Sequence, residues 1–438
     1  MLHASAEGTA APISRHGGEA IVVLEVGSSR VACALAEADI GKPRLLAVEA
    51  VASYGLRGGE VIDLERAAES IRIVVQAVAD RAEADVRSVV VGCSGEVRMS
   101  LTQGTLPLGG ECPAVTESHV ERLRKSLHPE GGRSRRLIHR FDGPYRVGEL
   151  AGIERPVGLC GPTLTMASSF LTVPSDRLEN LLRAVRAAGV EIENVAVEPL
   201  AASYGALSDD ERGLGAAVLD FAGGGFRGAL WEGGRLRQLC AIGQDSAQGG
   251  GVQAGLAGLE AVVSGVARHF RIAPTTARGL IRAHGAVGDA APLPDAAPIE
   301  VPAVDELARI RIAPFELAKV LEAHLVPVLT ALREGLGGFS RHHAAGVVLV
   351  GQGAALRGLP DCVSRVFGGA PVRQGIPRWE PAVAESVGLP VELDGPGGCG
   401  LCGLIVYGHQ ARARYREARG ETWWTRLNAG LKRVAASL

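Results

Sequence analysis

At 438 residues the chain exceeds what one hydrophobic core usually holds, so two or more domains are expected. With 47% hydrophobic and 21% charged residues it is neither a disordered nor a fibrous sequence, and a formal net charge of −2 supplies no basic field to hold nucleic acid. Eight scattered cysteines do not form a secreted disulfide framework, and no run of about 18 apolar residues exists to span a bilayer, so a reducing cytosol and peripheral membrane contact are expected.

Residues 1–18 mix His, Ser, Glu, Gly and Pro and read as a disordered arm. From Ile21 to Leu35 two apolar runs flank Gly27-Ser28-Ser29-Arg30, the pattern of a strand-turn-strand hairpin. Asp63 precedes a helical periodicity over Leu64–Ala84, and Val86–Gly92 reads as a short β-branched strand. Between Arg98 and Pro174 the pattern changes to Gly- and Pro-broken segments with a basic run at Arg133–Arg136, so this stretch looks inserted. A helix from Ser175 to Ala188, a strand over Val190–Val197 and a helix opened by Glu198-Pro199 and running to Leu207 follow.

From Gly215 the opening pattern repeats: an apolar strand ends at Asp220, Gly223-Gly224-Gly225 makes a turn, and Gly228–Trp231 returns. Residues 250–340 read as mostly helical around an Ala/Pro loop at 286–303, and Gly346–Val350 reads as a buried strand that runs into Gly351-Gln352-Gly353. Ala411–Gly420 reads as an Arg-rich linker.

Two glycine-containing turns, each beside a carboxylate (Glu25 and Asp220), suit a cleft that grips a phosphate chain from both sides, because turn amides form anion nests. Gly351 and Gly353 carry no β-carbon to keep an adenine or pyrophosphate off the backbone. The same run imitates a dinucleotide fingerprint, but its third glycine falls at Gly358 and no acid closes a second strand, so a nicotinamide enzyme is not expected. Cys399 and Cys402 have metal-knuckle spacing without a second pair and read as structural; His119, His128, His139, His342 and His343 lack a nucleophile context.

The order of these motifs resembles the actin/Hsp70 ATPase superfamily and, within it, the FtsA family of bacterial cell-division proteins. Four stretches carry the resemblance: Leu24–Val31, Pro156–Gly161, Glu198–Asp220 and the C-terminal segment. It implies an α/β fold, a duplicated actin-like (ribonuclease H-like) fold with an FtsA-type inserted subdomain. The first half is then 19–97 plus 175–213, the insert 98–174, the second half 214–243 plus 341–410, its smaller subdomain 244–340, followed by a linker at 411–421 and a membrane-targeting helix at 422–438.

The resemblance also implies ATP or ADP with Mg²⁺ between the halves, beside Gly27, Ser28, Ser29, Arg30, Gly223, Gly224, Gly225, Gly351, Gln352 and Gly353. Glu25 and Asp220 would hold Mg²⁺ through water, with no direct protein ligand, and Glu198 would position an attacking water. Several positions depart from the family. The hydroxyl expected after the second glycine turn is missing, Arg227 replaces an acid, Gln352 replaces a glycine, and Arg278 and Ile281 stand where Glu and Lys would contact the nucleoside. Arg278 is left to pair with a phosphate or to stack. Weak ATP binding and slow or absent turnover are expected.

Thr422–Leu438 places Trp424, Leu427, Leu431 and Val434 on one helical stripe with Trp423 at its edge, flanked by Arg426, Lys432 and Arg433. Such a helix lies in a membrane interface and favours anionic lipid. By resemblance the partners are FtsZ, met through the subdomain at 244–340, further copies of the chain in filaments, anionic inner-membrane lipid and other division proteins. Alternatives are a working ATPase of the same fold and a PilM-like pilus scaffold.

Overall fold

The structure is a computed structural model; it describes residues 20–37, 43–110, 113–242, 258–304, 308–340, 342–379 and 387–418. The expected arm at 1–18 and the expected membrane helix, with Trp423, Trp424, Arg426, Leu427, Leu431, Lys432, Arg433 and Val434, lie outside the described residues.

Two five-stranded sheets share one topology. In the first, β1 (Ala20–Val26), β2 (Arg30–Glu37) and β3 (Arg44–Ala52) form an antiparallel meander, and β6 (Ser88–Cys93) and β11 (Glu191–Val197) add in parallel on the other side of β1. In the second, β12 (Ala216–Ala222), β13 (Gly225–Glu232) and β14 (Arg235–Ile242) repeat the meander, and β17 (Val347–Val350) and β18 (Val372–Gln374) add in parallel beside β12. The strand-turn-strand patterns at 21–35 and 215–231 are thus the central hairpins of the two sheets. Their strands are buried on both faces, which is why they read as continuous apolar runs rather than alternations.

Helix α1 (Leu64–Ala82) covers the first sheet; Asp63 caps it by accepting from the Arg66 N–H. Residues 98–174 hold a four-stranded antiparallel sheet, β7 (Arg98–Pro107), β10 (Thr163–Pro174), β8 (Arg135–Val147) and β9 (Leu150–Ile153), packed on α2 (Glu117–Ser126) through a core that includes Leu123, Leu164, Met166 and Phe170. Strand β7 alternates half-buried and exposed residues, so it showed no apolar run to the sequence reading. Helix α3 (Ser175–Ala187) returns the chain to β11, after which α4 (Glu198–Ala206) and α5 (Asp209–Leu214) lead into the second sheet.

Helices α6 (Leu259–Phe270), α7 (Pro274–His284) and α8 (Pro314–Gly335) share one core with the second sheet. The Ala/Pro loop expected at 286–303 instead runs into a hairpin of β15 (Ile299–Pro302) and β16 (Arg309–Ile312). Helix α9 (Leu359–Val366) packs against α8, and the described chain ends in α10 (Cys399–Ala418). Residues 411–418, expected as linker, continue this helix. Arg412 sits 2.5 Å from both carboxylate oxygens of Glu193 and donates to the Ala20 carbonyl, so tertiary pairing holds the start of the Arg-rich stretch on the body.

Candidate functional site

Helix α4 is buried on nearly every side and so shows no single apolar stripe, and it lies between the sheets with α10 across it. Its first residue, Glu198, therefore points its carboxylate into the interior where the two hairpin turns meet. Glu25 arrives from the end of β1 and Asp220 from the end of β12, so the three acids share one cavity of about 50 Å³. Gly400 of α10 completes the wall; a β-carbon there would stand 3.4 Å from Glu25 Oε2.

Two arginines enter the same space. Arg30, the first residue of β2, donates from one nitrogen to Glu25 Oε1 at 3.2 Å and to the Gly397 carbonyl at 2.5 Å, and from the other to the Glu392 carbonyl at 2.8 Å. Arg227, on β13, is 1% exposed and places one guanidinium nitrogen 3.4 Å from Asp220 Oδ2 and 3.8 Å from Glu198 Oε2. Burial, with repulsion from Glu25, pushes the Asp220 carboxyl up to about 6, and burial, with repulsion from Glu25 and Asp220, pushes Glu198 up to about 8; Arg227 opposes both shifts. Glu198 thus holds its proton more tightly than an ordinary carboxyl does, and the two guanidiniums share the cavity with three acids.

The glycine turns are in direct contact across the cleft. A β-carbon on Gly223 would lie 3.4 Å from Ser29 Oγ, and one on Gly224 would lie 3.0 Å from the Gly59 nitrogen. Ser29 Oγ donates to Gln352 Oε1 at 3.1 Å, and Ser28 Oγ accepts from the Gly59 N–H at 2.6 Å. Gly351, at φ +83, leaves room for Asp220 Oδ1, which a β-carbon would approach to 2.6 Å. Gly353 packs on Leu259 and Phe221, and Gly225 at φ +154 lets β13 start directly after the turn.

Beyond Ser29, Gly223 and Gln352 the cleft opens into a cavity of about 820 Å³, within the range of small-molecule sites. Arg278 lines it from α7, beside Ile281, and one of its guanidinium nitrogens donates to both carboxylate oxygens of Glu260 of α6, at 2.7 and 2.8 Å. Of the residues expected at the cofactor, Gly27, Ser28, Ser29, Arg30, Gly223, Gly224, Gly351 and Gln352 line the cavity of the acids, Arg278 and Gly353 line the wider one, and Gly225 lines neither. Arg227 is the residue whose part the sequence reading missed. The signal was a charged residue in the middle of an otherwise apolar strand, which requires a buried counter-charge.

A nucleotide and its metal fare differently against this donor set. The wide cavity and the glycine turns suit a nucleoside phosphate. The acids do not suit Mg²⁺: Arg30 engages both oxygens of Glu25, and Arg227 stands between Asp220 and Glu198. Among the described residues no group of three His, Cys, Asp or Glu side chains has the geometry to hold a metal.

No family model matches the chain. It is 28% identical over 434 residues to the cell division protein FtsA of Escherichia coli K12, covering 94% of this chain and 97% of that one. Among solved structures it superposes on a PilM–PilN type IV pilus biogenesis complex with TM-score 0.58 and 18% identity, over 89% of this chain and 98% of that chain. MreB5 of Spiroplasma citri bound to ADP gives TM-score 0.51 at 13% identity, over 91% and 98% of the two chains. The chain has the duplicated actin-like fold and is similar, over nearly its whole length, to FtsA cell-division proteins.

Proposed function

We propose that this protein is an actin-like cell-division protein that polymerises and tethers FtsZ to the cytoplasmic membrane at the division site. The observation that carries this reading is the similarity to FtsA across 97% of that protein's length, too extensive for a shared fold module. The likeness to the PilM–PilN complex, at 18% identity, speaks for the fold alone.

ATP or ADP fits the wide cavity, with Ser29, Gly223 and Gln352 at its phosphate end. Turnover is slow or absent on this reading. Glu198, which the resemblance casts as the residue that orients a water, has Oε2 turned towards the Arg227 guanidinium at 3.8 Å, so that oxygen is engaged by a side chain rather than free to orient a water. Nucleotide then acts as an assembly ligand that joins the two halves rather than as fuel.

Filaments attach to anionic lipid through the stripe of Trp424, Leu427, Leu431 and Val434, and polymerisation multiplies a reversible single-helix contact. Electron microscopy of the full chain on anionic lipid monolayers tests this. Filaments lying on the lipid in the presence of ATP are expected. Protein that neither binds lipid nor assembles would overturn the reading.

A further inference from the structure

Where an actin-like cleft would need a hydrated divalent ion, this chain has placed a side chain. Arg227 is 1% exposed, lies on a central strand, and reaches an acid from each half of the molecule: Asp220 on β12 of the second sheet and Glu198 at the head of α4, after the first. A buried guanidinium is tolerated only when it is paired. A metal would not find these acids free, since every one of them already faces an arginine.

The ligand count leads to the same result. Both oxygens of Glu25 lie within 3.4 Å of an Arg30 nitrogen. Asp220 has Oδ2 on Arg227 and Oδ1 against the Gly351 backbone, where even a β-carbon would stand only 2.6 Å away. Glu198 has Oε2 towards Arg227 and Oε1 without a hydrogen-bond partner among the described residues. A water-held ion needs carboxylate oxygens free to accept from its waters, and the oxygens turned towards Arg30 and Arg227 are already engaged. A metal ion would also face the fixed charges of Arg30 and Arg227 at close range in a cavity of about 50 Å³.

We propose that Arg227 is the resident cation of this cleft, standing in the place of the divalent metal, and that the protein binds nucleotide without Mg²⁺. This deepens the reading of the cavity as a nucleotide site and concerns only its metal. Arg227 cross-links the two halves through Asp220 and Glu198, so the closed arrangement of the turns does not wait for a metal to arrive.

Two measurements on the full chain test it. In the first, Mn²⁺ is titrated into nucleotide-free protein and free Mn²⁺ is followed by electron paramagnetic resonance. The wild type is expected to leave the free-ion signal undiminished, whereas Arg227→Met, with its acids released, takes up one ion per chain. Stoichiometric uptake by the wild type overturns the proposal, and so does a folded Arg227→Met that takes up none. In the second, ADP binding is measured by calorimetry in excess EDTA and in excess MgCl2. Affinities equal within about twofold are expected, and a gain of about tenfold or more with Mg²⁺ overturns the proposal even if Arg227→Met does not fold. If ADP binds in neither buffer, the nucleotide reading has failed, and the wild-type Mn²⁺ titration still decides the question of the metal.

Discussion

Gly403 of α10 crosses α4 so closely at Ala201 that a β-carbon on Gly403 would overlap the Ala201 carbonyl oxygen; one turn further on, a β-carbon on Gly205 would overlap the carbonyl of Cys399. The two helices meet backbone to backbone, and this contact sets how far Glu198, at the head of α4, and Gly400, beside Glu25, stand from the arginines. Gly403→Ala is therefore expected to destabilise the fold by about 3 kcal/mol, because the relief must come from backbone rather than from a rotamer. Denaturant unfolding measures the loss. A change within about 0.5 kcal/mol would show that the helices separate freely.

A second glycine gives the opposite sign. Gly279 lies inside α7, and a β-carbon there would meet nothing within 4 Å among the described residues. Gly279→Ala should stabilise by about 0.5–1 kcal/mol, since alanine loses less conformational freedom in a helix. The same unfolding assay reads it, and destabilisation would mean that this face of α7 is covered in solution.

His139 joins the inserted sheet to the first half: its Nε2 accepts the Val197 N–H at 3.1 Å, with Tyr407 edge-on at 5.2 Å. Burial, helped by the nearby charge of Arg414, pushes the imidazole down to about 3. The folded value lies below the ordinary value near 6.5, so the unfolded chain binds more protons between these limits. Stability from this group is complete above about pH 6.5 and falls as the pH drops towards 3, by about 2 kcal/mol between pH 6.5 and 5. In His139→Gln, which keeps an acceptor without a titrating ring, stability should fall less over that interval. An identical pH profile in variant and wild type would remove His139 as the cause.

Much of this was legible in the sequence. The hairpins around Gly27 and Gly223, the helix after Asp63 and the helix opened by Glu198-Pro199 follow local rules of periodicity, turn residues and helix starts, and they formed where those rules put them. The hairpin of β15 and β16 was hidden because its strands span four residues each, too short for a period to show. The helical course of 411–418 was hidden because the partner of Arg412, Glu193, is more than 200 positions away in the chain. Arg227 read as the loss of an acid. Its gain, a bond to Asp220 and a reach to Glu198, depends on strands and a helix that only the fold brings together.

The membrane prediction rests on the helical stripe written into residues 422–438. Trp423→Glu combined with Trp424→Glu puts two charges on its apolar side, and the double variant should stay in the supernatant when anionic vesicles are sedimented. Sedimentation equal to that of the wild type would place the lipid contact elsewhere.

The most direct test of the account is a flotation assay with purified FtsZ, the full chain and anionic vesicles. FtsZ should rise with the vesicles when the chain is present, and it should remain below both when the chain is omitted and when the Trp423→Glu, Trp424→Glu variant replaces it. If the chain floats and FtsZ stays behind, the proposed link between the division ring and the membrane is contradicted.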